Sequence, residues 1–168
     1  MKNLRIVLSL FAALVGATAL AAPIDLNQVL DFAKTEMLLV DRLQAPEGDL
    51  KTGAVYDLSH RSTDWNQGYT TLFVGKRKEP TSQTAYLERL SPHIHQFDEN
   101  MTIYGLNGYV AYLDENFEIA WLNWIDRASA DRAYQSSAGQ EIIQDASSFM
   151  DSAFFAEMNW KTKEVAKP

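Results

Sequence analysis

The side chains best equipped for chemistry fall in three places. His93 and His95 flank Ile94 just after Pro92, and Glu99 follows four residues after His95. Positions i and i+4 share a helical face, so His95 and Glu99 could pair electrostatically or supply two metal ligands. His93 and His95, two apart, share a face only on a strand. No third ligand stands nearby, and a solvated helix end accounts for the pair without a metal. The second place is an aromatic group, Tyr104, Tyr109, Tyr112, Trp121 and Trp124, on what read as two neighbouring strands. Such rings can wall a pocket for a flat apolar substrate, with phenol and indole groups orienting it. They serve equally as core and subunit interface. A His beside the pocket, His95 here, could act as the base for a substrate proton. The third place is His60-Arg61-Ser62-Thr63-Asp64. It holds Ser, His and Asp but no Gly-x-Ser-x-Gly elbow, so it reads as a solvated loop. No P-loop, dinucleotide fingerprint, EF-hand or His-Glu-x-x-His pattern is present. No cofactor or metal is expected.

Composition narrows the classes further. The 168 residues carry 22 acidic and 15 basic side chains, a formal charge of −7, and no cysteine. The acidic balance argues against a nucleic-acid partner. The absence of cysteine excludes disulfides, thiolate zinc sites and a thiol nucleophile. Lys2 and Arg5 precede an apolar run from Ile6 to Leu20, and Ala19-Leu20-Ala21 supplies a small-x-small cleavage pattern. Residues 1–21 are therefore expected to be a cleaved secretory leader, too short to span a bilayer. Its loss removes two bases and no acid, which takes the charge from −7 to −9. The mature chain is expected in the periplasm or outside the cell, free of the membrane.

The elements that must position these groups follow from periodicity. Asp25–Leu43 predicts a helix capped by Asp25, with Leu26, Val29, Leu30, Ala33, Met37, Val40 and Leu43 on one face. Residues 49–68 are polar and irregular, apart from Ala54-Val55-Tyr56. Thr70–Lys76 reads as a strand, and 82–99 as a helix that Pro92 should kink or divide. Met101–Asp114 reads as a strand whose Asn107-Gly108 is either a hairpin turn or a bulge. Phe117–Trp124 is the clearest strand. Phe117, Ile119 and Trp121 alternate with Glu118, yet Ala120, Leu122 and Trp124 make the second face apolar too, as in the middle of a covered sheet. Ser129–Asp151 predicts a helix that Gly139 could interrupt, Ala153–Thr162 a last strand, and 164–168 a tail. The expected domains are the leader, an N-terminal helix and polar loop at 22–68, and a folded domain at 69–163.

From Tyr69 onward the order is strand, helix, strand, strand, helix, strand, which predicts an α+β, ferredoxin-like βαββαβ domain with an extra N-terminal helix. Its apolar second face would be covered by another copy. The stretch from Phe117 through Trp124 to Ser129-Ala-Asp-Arg-Ala-Tyr134, with Gly108 before Tyr-Val-Ala-Tyr-Leu, resembles the antibiotic-biosynthesis-monooxygenase family of dimeric α/β barrels over residues 70–163. The resemblance implies a homodimer and cofactor-free oxygenation of a quinol or phenol. It marks Trp124 as the strand-end Trp and, with His95, as a catalytic candidate. Tyr104, Tyr109, Tyr112, Trp121 and Tyr134 would contact the small aromatic or apolar substrate. Tyr134 stands where that family often has His, a departure that favours a non-enzymatic binding protein on the same fold. A cone of the NTF2-like type is the alternative fold.

Overall fold

The computed structural model describes residues 25–37, 40–59 and 63–158. The expected leader, His60 and Arg61 of the polar loop, the end of the last strand and the tail lie outside the described residues. The chain divides into two units, Met1–Val40 and Asp41–Pro168. In the first, α1 spans Leu26–Thr35, and the Asp25 carboxylate caps it by accepting from the Asn27 backbone N–H at 3.0 Å. Val29, Phe32 and Ala33, at i, i+3 and i+4, form its buried stripe. The helix is eight residues shorter at its end than its apolar periodicity suggests, and Leu43 belongs to a strand.

The second unit holds a six-stranded mixed sheet in the order β1-β2-β4-β5-β3-β6. Its strands are β1 (Leu43–Gln44), β2 (Val55–Asp57), β3 (Tyr69–Arg77), β4 (Leu106–Leu113), β5 (Phe117–Trp124) and β6 (Met150–Glu157). β1 and β2 run parallel, and every other pairing is antiparallel. The sheet is neither closed nor strongly curled. This overturns the expected dimeric α/β barrel. The cause lies partly in the segment expected to be loop: Val55–Asp57 pairs with Val110–Tyr112 and lengthens the sheet beyond β4. β1 and β6 are its two edges.

Three helices cover one face. α2 spans Gln83–Thr102, capped by Ser82, whose hydroxyl accepts from the Ala85 N–H at 3.2 Å. It runs unbroken through Pro92, contrary to the expected break. Pro92 is exposed, while Tyr86, Leu90, Ile94 and Met101 bury the opposite stripe on both sides of it. That packing outweighs one missing hydrogen bond. α3 (Arg127–Gln135) begins at Asp126, whose carboxylate accepts from the Ser129 N–H at 2.7 Å. α4 spans Ser137–Ser147.

The break between α3 and α4 falls at Ser136 rather than at Gly139. Ser136 is extended and serves both helices. Its hydroxyl donates to Ala133 O at 2.7 Å and accepts from the Gly139 N–H at 3.0 Å. A Cβ at Gly139 would strike the Ala133 carbonyl, so the elbow needs glycine there. Ser136→Ala should lower the unfolding free energy in urea by about 1–2 kcal/mol, and Ser136→Asp should retain most of the cap. Equal loss in both variants would show that the hydroxyl's donation to Ala133 O, which Asp cannot make, outweighs the cap.

β5 lies between β3 and β4, as two apolar faces require. Ala120, Leu122 and Trp124 face the helices and join the core with Tyr109, Ala111, Leu90 and Ile94. Leu72, Val74, Val110, Ile119 and Trp121 alternate onto the other face and are also buried. The Asn107-Gly108 pair is a bulge: β4 and β5 change register between Leu106 and Gly108.

Candidate functional site

The site grows from one residue in β5. Leu113 and Gly75 are the cross-strand partners of Glu118, and all three are buried near one end of their strands. Its side chain turns toward the helices, among apolar neighbours, and is only 2% exposed. Tyr109, on β4, reaches along the same face and donates from its hydroxyl to Glu118 Oε1 at 2.8 Å. Burial pushes the Glu118 carboxyl up to about 7, with the Tyr109 hydrogen bond opposing part of that rise. The same burial, reinforced by Glu118, pushes the Tyr109 phenol well above its usual range. At neutral pH the pair therefore shares a carboxyl near its own midpoint, with a neutral phenol beside it.

Above this pair lies a cavity of about 360 Å³ between the sheet and the helices, within the size range of small-molecule sites. Phe73 of β3, Phe97 of α2 and Tyr134 of α3 wall it, and Leu122, Ile142 and Met150 add aliphatic surface. At its open end stand Ile143 and Phe155, 43% and 51% exposed. A Cβ at Gly75 would meet the Met150 sulfur and the Phe73 ring, two of the lining side chains, so their placement needs glycine there. His93 also lines the cavity. Its Nδ1–H donates to Asp145 Oδ2 at 3.3 Å, and Asp145 also holds the Arg89 guanidinium at 2.7 Å. Burial lowers the His93 pKa, with Asp145 pulling the other way, so the ring is neutral at neutral pH.

The structure brings together only some of the residues singled out in the sequence. Tyr109 and Tyr134 line the cavity. Trp124 lies behind it, fully buried, with ring centroids 5.5 Å from Tyr134 and 6.5 Å from Phe97. Tyr112 and Trp121 fall on the opposite face of the sheet, where Tyr112 meets Phe117 at 6.1 Å. Tyr104 sits half-buried in the turn after α2 rather than in a strand. His95 points away from the cavity, and its Nε2–H donates to Gly48 O at 3.2 Å. Glu99 is exposed. Among the described residues no group of three or more His, Asp or Glu side chains is placed to hold a metal ion.

Glu118 and His93 carry the polar chemistry of this cavity; the sequence marked His93 only beside His95, without a pocket, and did not mark Glu118 as a site residue. The signal for Glu118 was present: an acid inside an eight-residue strand that is apolar on both faces has nowhere to go but the interior.

The chain matches no protein-family model and no curated protein. Three solved structures are similar to it at low identity. Protein YJCS, from a structural-genomics effort, is 8% identical, with a TM-score of 0.43, covering 54% of this chain and 96% of that one. The NE2512 protein of unknown function from Nitrosomonas europaea is 13% identical, with a TM-score of 0.41, covering 55% and 91%. An anthrone oxidase-like protein is 12% identical, with a TM-score of 0.36, covering 58% and 49%. Likenesses of this strength assign neither fold nor activity. The open sheet and the lack of any matching family model overturn the resemblance to antibiotic-biosynthesis monooxygenases and, with it, the expected barrel and oxygenase. The motif that carried it, a strand-end Trp followed by a polar turn and a helix start, is explained locally by the Asp126 cap. Among the described residues no helix is long and apolar enough to cross a membrane.

Proposed function

We propose that the chain is an exported binding protein for a small amphiphilic molecule, whose apolar body fills the cavity and whose polar end meets the Tyr109–Glu118 pair. The observation that carries this reading is the buried carboxyl. Placing an ionisable group in an apolar interior destabilises the fold unless something beyond one phenol satisfies it. A ligand group at the cavity floor would do so. The aromatic and aliphatic walls support an apolar body, and exposed Ile143 and Phe155 support access from outside. The charged start, apolar run and Ala19-Leu20-Ala21 pattern support export.

Ala146 lines the cavity from α4 and is only half-buried, which makes it the place to block the site with little cost to the core. Calorimetric titration with 2-phenylethanol should show one site in the native chain and at least tenfold weaker binding in Ala146→Phe. Binding that ignores Ala146→Phe, or no binding at millimolar probe, would contradict the reading.

A further inference from the structure

The cavity contains one acid and nothing of opposite charge to balance it. Glu118 accepts one hydrogen bond, from Tyr109, and among the described residues it has no ion-pair partner. His93, the one side chain of basic type in the lining, is tied through Nδ1 to Asp145 and is neutral at neutral pH. No Lys or Arg lines the space. The walls around this acid are unusually aromatic: Phe73, Phe97, Tyr109, Tyr134 and Phe155. Two pairs of these rings, Phe97–Tyr109 and Tyr134–Phe155, meet edge to face at 5.5 and 6.3 Å and hold one another in place.

Aromatic rings around an unbalanced carboxylate favour one class of guest. A cation gains from the ring quadrupoles and forms a charge-assisted hydrogen bond to the acid. A neutral alcohol gains only an ordinary hydrogen bond, and an anion is repelled. We propose that the polar end of the ligand is a protonated amine, carried on an aryl or alkyl body and seated against Glu118 among the cavity's rings. This rests on the ligand-site reading above and names the class of molecule that fills it. The chain's negative charge would further concentrate cations at its surface.

The choice has a pH signature. The free Glu118 carboxyl is pushed up to about 7, so binding an ammonium ion must release its proton whenever the acid is still protonated. Below that midpoint the amine competes with the proton, and its affinity falls. The other titratable groups around the acid do not reverse this sign. Tyr109 on β4, Tyr86 on α2 and Tyr134 on α3 are phenols held above their usual range. Asp114, in the turn before β5, and Arg77, on β3, bear on Tyr86, and the buried Asp98 of α2 bears on Tyr109; the two acids would only favour a cationic guest. Ser147 and Ser152, from α4 and β6, are uncharged. His93, if protonated at low pH, would repel the guest and deepen the same trend.

The test compares three probes of one shape on the purified chain by calorimetric titration: 2-phenylethylamine, 2-phenylethanol and 3-phenylpropionate. The amine should bind at least tenfold more tightly than the alcohol at pH 8, and the carboxylate should not bind measurably. The amine's affinity should be about tenfold weaker at pH 6 than at pH 8, with the alcohol's unchanged; that comparison needs only the native chain. Glu118→Gln should abolish the amine's advantage over the alcohol. Alcohol binding as tight as amine binding, with no change of ratio in Glu118→Gln, would overturn the amine and leave the cavity site standing. Failure of all three probes would overturn both.

Discussion

Glu118→Gln is expected to stabilise the protein by about 2 kcal/mol at pH 8 and to flatten its stability between pH 4.5 and 7. Burial pushes the Glu118 carboxyl up to about 7 in the fold, against 4.5 for an exposed glutamate. Below pH 4.5 it is protonated in both states and contributes no pH dependence. Between 4.5 and 7 the unfolded chain has lost the proton while the native chain keeps it, so stability falls as pH rises. The slope approaches roughly 1.4 kcal/mol per pH unit and totals about 3 kcal/mol by pH 7, above which it levels off. Glutamine has nearly the same shape and still accepts from Tyr109, but its amide N–H group is left facing the cavity, which returns about 1 kcal/mol of the gain. Asp114 is also raised by burial and adds a decline of the same sign at lower pH, common to both proteins. Urea denaturation at pH 4.5, 6 and 8 separates the cases. Parallel curves for the two proteins would mean that Glu118 is solvated.

The second large effect is at Trp124. Its ring is completely buried between Phe97 and Tyr134, at the end of the central strand, and Trp124→Ala should cost about 3–5 kcal/mol in unfolding free energy. Trp124→Phe should cost far less than its lost volume suggests. Among the described residues the indole Nε1–H has no hydrogen-bond partner, so removing it relieves an unsatisfied donor while keeping an aromatic contact with Tyr134. Thermal unfolding of the two variants measures the difference. Probe binding should survive in Trp124→Phe, because Trp124 supports Tyr134 from behind the cavity. A phenylalanine variant as damaged as the alanine one would show that the indole N–H is satisfied after all.

The legible parts of this chain are the long elements with a dominant period. Phe117–Trp124 is bounded in the structure where its residues say it should be, because Asp114-Glu115-Asn116 turns the chain before it and the Asp126 cap starts a helix after it. Thr70–Lys76 extends by one residue at each end. What could not be read depends on tertiary pairing. β1 and β2 have two and three residues, too short for a period, and exist because β4 offers an edge. The helix through Pro92 survives because Leu90 and Ile94 anchor both sides of the proline, a fact that no local rule contains. The elbow at Ser136 followed from a cap rather than from the nearby glycine. The site was missed for a different reason. Glu118 drew notice only as the polar member of an alternation, although Ala120, Leu122 and Trp124 on its own face already required burial. Attention to aromatic residues found Tyr109 and Tyr134, but it also collected Tyr112 and Trp121, which the two-residue alternation of β4 and β5 sends to the opposite face.

The proposed cavity floor is a buried carboxyl, and the Glu118 side-chain carboxyl carbon reports on it directly. Its NMR shift should be followed against pH in the free chain and with 2-phenylethylamine present. The expected midpoint is near 7 in the free chain, moving lower as the amine saturates the site. A midpoint near 4.5, unmoved by either the amine or 2-phenylethanol, would contradict both the buried acid and the site built on it.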